Sequence, residues 1–120
     1  MSYRFEKLNV WIEARVFIKD IYLVCNKFPR SELYCLGDQI KRAAISIALN
    51  IAEGSDKKSD KDFIRFLRIS LGSINEVVTA LYIALDLKFI TQKDFDILYE
   101  KSNKISKMIN GLIRSLNEKN

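Results

Sequence analysis

Gln39-Ile-Lys-Arg-Ala-Ala-Ile-Ser-Ile-Ala-Leu-Asn-Ile-Ala-Glu-Gly54 carries two stripes at helical spacing. Ile40, Ala43, Ala44, Ile47 and Ile51 recur at intervals of three and four, which puts them on one apolar face. Gln39, Arg42, Ser46, Asn50 and Glu53 recur at the same intervals on another face. A solvated helix face favours scattered Lys and Glu. A row of amide, guanidinium, hydroxyl, amide and carboxylate instead predicts a hydrogen-bonded seam against a neighbouring helix or subunit, because buried polar groups require partners. Ser73 and Glu76 on the following helix are assigned to the same structural polar seam. Gly54 is read as a left-handed C-terminal cap.

The stretches on either side extend the helical reading. Before it, Trp11, Ala14, Ile18, Ile21, Cys25 and Phe28 alternate steps of three and four, predicting a first helix from about Asn9 to Lys27 with this face inward. Phe28-Pro29 ends it, since the residue before proline is pushed out of the helical region. The second helix runs from about Gly37 to Gly54. After it, Ser59 is placed to cap a third helix, with Asp60 and Asp62 in the first turn where the helix dipole favours anions. Phe63, Leu67, Ser70, Ile74, Val77, Leu81 and Leu85 form its inward stripe. Thr91 followed by Asp94 predicts a capping box for a fourth helix, whose inward stripe is Phe95, Leu98, Ser102, Ile105, Ile109, Leu112 and Leu116.

Four amphipathic helices with short connections predict an all-α, antiparallel up-down-up-down four-helix bundle, one domain spanning residues 1–120. Composition agrees: 48% of the residues are hydrophobic, with four glycines and one proline, too few turn formers for an all-β chain. The apolar stripes are wider than one bundle core needs. Val10, Phe17, Tyr22 and Val24 on the first helix, and Phe66, Leu71, Val78 and Tyr82 on the third, are the excess. Their contiguity predicts a second buried surface and hence a homo-oligomer, against the reading of scattered surface apolar groups.

Several chemistries are excluded. The chain has no histidine, so it lacks the commonest general base and metal ligand, every Ser-His or Cys-His dyad, and the Glu-x-x-His pairs of di-iron bundles. Cys25 and Cys35 have no zinc-type spacing and read as buried free thiols of a reducing cytoplasm. Phosphate-loop and dinucleotide-binding glycine patterns are missing, and Gly72-Ser73 falls mid-helix, where glycine requires a packing reason. No cofactor and no metal are expected. One enzymatic reading survives, in which Gln39, Arg42 and Glu53 hold a small dianion; a structural seam uses the same residues. No apolar run reaches the ~20 residues of a membrane span and no signal peptide is evident, so the expected location is cytoplasmic.

The net charge is +5, and the excess is clustered. Lys57, Lys58, Lys61, Arg65 and Arg68 lead into the third helix, the last four spaced three, four and three apart. Lys101, Lys104, Lys107 and Arg114 follow on the fourth helix, and Lys41 lies near the start of the second. Cationic rows neutralise phosphates and release counterions, so these residues are candidates for nucleic-acid binding, with Lys41 and the fourth-helix cations secondary. Tyr34, Tyr82 or Tyr99 would serve to stack on unpaired bases. The competing reading is a solvated face with local ion pairs.

Phe5, Leu8, Trp11, Phe28-Pro29, Glu32, Leu36, Gln39, Arg42-Ala43-Ala44, Ser46-Ile47, Asn50-Ile51-Ala52-Glu53-Gly54, Phe66-Leu67, Gly72-Ser73 and Glu76 together form a pattern that covers nearly the whole chain. It resembles the bacterial proteins encoded within intervening sequences of large-subunit ribosomal RNA. That family includes the accessory variability determinant proteins of diversity-generating retroelements. The resemblance implies a ring-like homopentamer without enzymatic activity that binds RNA or DNA, and in the retroelement branch a reverse-transcriptase partner. The chain departs from the pattern at Ala48, where proline is common, and at Ser55-Asp56-Lys57-Lys58, where an aromatic residue or Gly-Arg is common. The competing function is a protein-interaction scaffold that does not itself touch nucleic acid.

Overall fold

The structure, a computed structural model, describes residues 2–119; Met1 and Asn120, included in the expected domain, lie outside the described residues. Four helices follow in order: α1 (Asn9–Cys25), α2 (Leu36–Ser55), α3 (Asp60–Asp86) and α4 (Gln92–Glu118). Short 3-10 turns at Arg4–Lys7 and Arg30–Glu32 precede α1 and α2. The described residues contain no strand.

The capping chemistry sits where the sequence puts it. Ser59 Oγ accepts the Asp62 N–H at 3.1 Å and starts α3. Thr91 Oγ1 accepts the Asp94 N–H at 3.1 Å while Asp94 Oδ2 accepts the Thr91 N–H at 3.3 Å, closing the capping box of α4. The left-handed end belongs to α3 and not to α2. Lys88 has φ 61°, its N–H bonds to the Leu85 carbonyl, and the Phe89 N–H reaches back to the Ala84 carbonyl, which together make a Schellman motif.

Gly54 corrects the sequence reading. It is helical inside α2, and no described glycine has positive φ. A β-carbon there would stand 2.7 Å from the Phe66 Cβ and 2.9 Å from Phe63 Cδ1. Gly54 therefore lets α2 and α3 approach, a constraint set by a residue of the other helix. Gly72 shows the converse: a β-carbon there meets nothing within 4 Å, so the described fold supplies no packing reason for it.

Contacts between helices fix their direction. Lys27 pairs with Asp94, Lys101 with Asp20 and Lys104 with Glu13, so numbers fall along α1 as they rise along α4. Ser70 Oγ donates to the Ile47 carbonyl at 2.9 Å and Ser73 Oγ to Ser46 Oγ at 2.9 Å, giving α2 and α3 the same antiparallel sense. Each helix touches two neighbours around the bundle, which measures 47 × 23 × 21 Å along its principal axes. Arg4 locks the bottom of α2: its Nη1 donates to the Ser55 carbonyl at 3.3 Å and its guanidinium covers the Phe63 ring at 5.0 Å.

Fully buried Phe17, Ile21, Ile40, Ile47, Ile51, Phe63, Leu67, Leu81, Ile105 and Ile109 fill the centre. On α1 the inward face is rotated from the expected one. Val10, Phe17 and Val24, read from the sequence as excess over one core, are buried in that core with Ala14, Ile21 and Cys25, whereas Trp11 and Ile18 are half-buried. Ile12, Val16, Tyr22 and Leu23 remain exposed there, and Leu49, Ile69 and Ile83 are exposed on α2 and α3. By length and composition α3 is apolar enough to cross a membrane, and its buried stripe faces the bundle core.

Candidate nucleic-acid interface

The predicted cations divide between two edges of α3. On the α2 side, Lys57 Nζ lies 5.2 Å from the Phe66 ring centroid and the Arg65 guanidinium 4.5 Å from it. Both cations gain from the ring quadrupole. Arg65 Nε also lies 3.8 Å from Asp62 Oδ1, an exposed ion pair that draws this carboxylate toward Arg65.

On the other side, α3 and α4 enclose a basic groove. Arg68, Lys107 and Arg114 line one section with Asn110 and Asn117, about 610 Å³ in volume. Lys58, Lys61, Ile64 and Asp60 line the adjoining section of about 590 Å³, and Asn117 borders both. Lys58, Lys61, Arg65 and Arg68 are all exposed. Among the described residues Asp60 is the one acidic member of the groove lining, and it sits at the first position of α3, where the helix dipole favours it.

The fourth-helix row splits. Lys101 and Lys104 turn to α1 and pair with Asp20 and Glu13. Lys107 and Arg114, seven residues apart, share the face that meets Arg68. That grouping was available from the sequence through heptad spacing combined with the antiparallel register. Lys41 does not join the cluster. Its Nζ lies over the Tyr22 ring at 4.8 Å, and about 20 Å of helix separates it from the lower end of α2.

The tyrosines are elsewhere too. Tyr82 and Tyr99 both pack against Phe95, with ring centroids at 4.7 and 5.7 Å. Arg68 and Tyr82 are fourteen positions apart on α3, about 21 Å along its axis. Tyr34 is exposed in the connection between α1 and α2, at the end of the bundle opposite Lys57.

The polar row resolves into two parts. Asn50 Nδ2 donates to the Ser46 carbonyl at 2.8 Å and to Ser46 Oγ at 3.0 Å, and Ser73 joins through Ser46. These three residues form an α2–α3 seam within the chain. Gln39, Arg42, Glu53 and Glu76 are exposed. Arg42 and Glu76 occupy matching levels in the α2–α3 register, yet no ion pair joins them among the described residues.

Both cysteines are free, but only Cys25 is buried; Cys35 is exposed, contrary to expectation. Burial pushes the Cys25 thiol up to about 11, against a smaller lowering by Lys41. At Asp94, burial acts to raise the carboxyl, but hydrogen bonds from Lys27 and the Thr91 cap outweigh it and hold the group below the usual carboxylate range.

Comparison with known proteins places this geometry in context. The model of the 23S rRNA-intervening sequence protein family matches residues 6–111. A crystal structure of a protein with unknown function from the S23 ribosomal protein family of Bacteroides thetaiotaomicron superposes with a TM-score of 0.80. The two chains are 26% identical over 87% of this chain and 97% of that one. No curated protein matches the chain.

Proposed function

The chain belongs to the 23S rRNA-intervening sequence protein family, and on that premise we propose that it is a non-enzymatic, homo-oligomeric accessory protein that binds nucleic acid through its basic surface. The observation that carries the reading is the α3–α4 groove, where cations from two distant segments converge while Lys101 and Lys104 are already neutralised by α1. Converging cations neutralise several phosphates at once, and each released counterion adds to affinity at low salt.

Exposed apolar and polar rows favour association of several copies, which fits the same reading. Ile12, Val16 and Leu23 on α1, with Leu49, Ile69 and Ile83, leave apolar surface exposed on the subunit. Gln39, Arg42, Glu53 and Glu76 offer a polar row whose pairing partners a second copy would supply. A ring, for which the resemblance suggests five subunits, repeats each groove about its axis and strengthens the positive field.

Filter binding of the purified protein to structured ribosomal RNA, with light scattering on the same sample, tests this. Retention of RNA by an oligomer supports the proposal. A monomer that retains no RNA at low salt overturns it, and an oligomer that retains none makes the protein a scaffold, such as a reverse-transcriptase partner.

A further inference from the structure

We infer that the α3–α4 groove takes the sugar-phosphate backbone of a double-stranded nucleic acid, not an unpaired strand; this rests on the reading that the protein binds nucleic acid. The groove side chains supply charge and amide groups without stacking surface. Lys58, Lys61, Arg68, Lys107 and Arg114 provide five cations, and Asn110 and Asn117 lie among them. Asparagine amides both donate to phosphate oxygens and accept from sugar hydroxyls. Lys61 and Arg68 on α3, and Lys107 and Arg114 on α4, are each seven residues apart, so the groove presents two cationic levels about 10 Å apart.

Proteins that hold unpaired strands gain much of their affinity from bases stacked on aromatic rings. No aromatic residue lines either section of this groove among the described residues. Of the α3 aromatics beside it, Phe63 is buried beneath Arg4 and Phe66 is covered by Lys57 and Arg65. Tyr82 and Tyr99 are engaged with Phe95 toward the far end of α3 and α4. An unpaired strand would therefore leave its bases without a platform. A duplex stacks its bases internally and presents one charge per ~1.7 Å of axis, twice the density of one strand. Its backbone matches a surface built only from cations and amides.

The test compares the affinity of the intact protein for a short blunt RNA duplex with that for an oligouridine of equal phosphate number, by fluorescence anisotropy at fixed salt. The duplex is expected to bind about tenfold tighter or more. Joint Arg68→Glu, Lys107→Glu and Arg114→Glu substitution is expected to abolish that preference, whereas Lys19→Glu, an exposed cation on α1 outside the groove, keeps it. Circular dichroism verifies folding, and the milder pair Arg68→Gln and Lys107→Gln decides the matter if the charge reversals unfold the bundle. Equal or tighter binding of oligouridine overturns the duplex inference while leaving nucleic-acid binding intact. Unchanged duplex affinity in the groove variants overturns the assignment of the groove. Failure of the wild-type protein to bind either probe at low salt overturns the underlying function as well.

Discussion

Gly54 lies directly beneath Phe66: a β-carbon on the glycine would come within 2.7 Å of the phenylalanine Cβ. This contact sets how closely α2 and α3 approach, and it explains a glycine in a helix where alanine would otherwise be favoured by about 1 kcal/mol. Gly54→Ala is expected to lower stability by about 1–3 kcal/mol through overpacking, despite the gain in helix propensity. Thermal unfolding followed by circular dichroism reads this as a fall of several degrees. Gly72→Ala, which meets open space, is expected to raise stability by up to about 1 kcal/mol. If light scattering instead shows that the variant associates less than the wild type, Gly72 belongs to a contact between copies.

The split polar row makes a separate prediction. Ser73→Ala removes a hydrogen bond to Ser46 inside the subunit and is expected to cost about 0.5–1.5 kcal/mol. Arg42→Ala and Glu76→Ala touch exposed groups and are expected to leave subunit stability nearly unchanged while weakening assembly. Denaturant titration and light scattering separate the two effects. A large loss of subunit stability in Arg42→Ala would assign that residue to the internal seam.

Asp94 joins the α4 capping box to Lys27 at the end of α1. Its carboxyl is held below the ordinary value of 3.8, so the folded state favours the charged form. The corresponding stability is present above that value and is lost as pH falls through the lower, folded-state value. Asp94→Asn is therefore expected to reduce the difference in thermal midpoint between pH 7 and acid conditions relative to wild type. An identical pH dependence in the two proteins would contradict this role.

The two thiols are expected to react very differently. Burial and a value near 11 keep Cys25 protonated at neutral pH, whereas Cys35 is exposed. Thiol titration of the native protein should show one rapid equivalent, removed by Cys35→Ser, and a second that appears only on unfolding.

What was legible in the sequence followed from local chemistry. Ser59 and the Thr91–Asp94 pair announce helix starts because their hydroxyls and carboxylate act within one turn. The α3 stripe was legible because its polar and apolar faces contrast. The α1 face was misphased because apolar residues surround that helix, and only the neighbours decide between Phe17 and Trp11. Gly54 was misread because its constraint comes from Phe66 on another helix. The basic groove was half legible: Lys58, Lys61 and Arg68 stood out as a row, but Lys107 and Arg114 join them only through the antiparallel packing of α3 on α4. That packing also sends Lys101 and Lys104 to carboxylates on α1.

The most direct test of the central claim is the salt dependence of RNA binding by the wild-type protein and by a Lys107→Ala, Arg114→Ala variant. For a groove of five cations the account predicts a slope of log affinity against log salt of about −4.5 on a duplex, flattened by about two in the variant. A shallow slope in the wild type, or the same slope in both proteins, would contradict it.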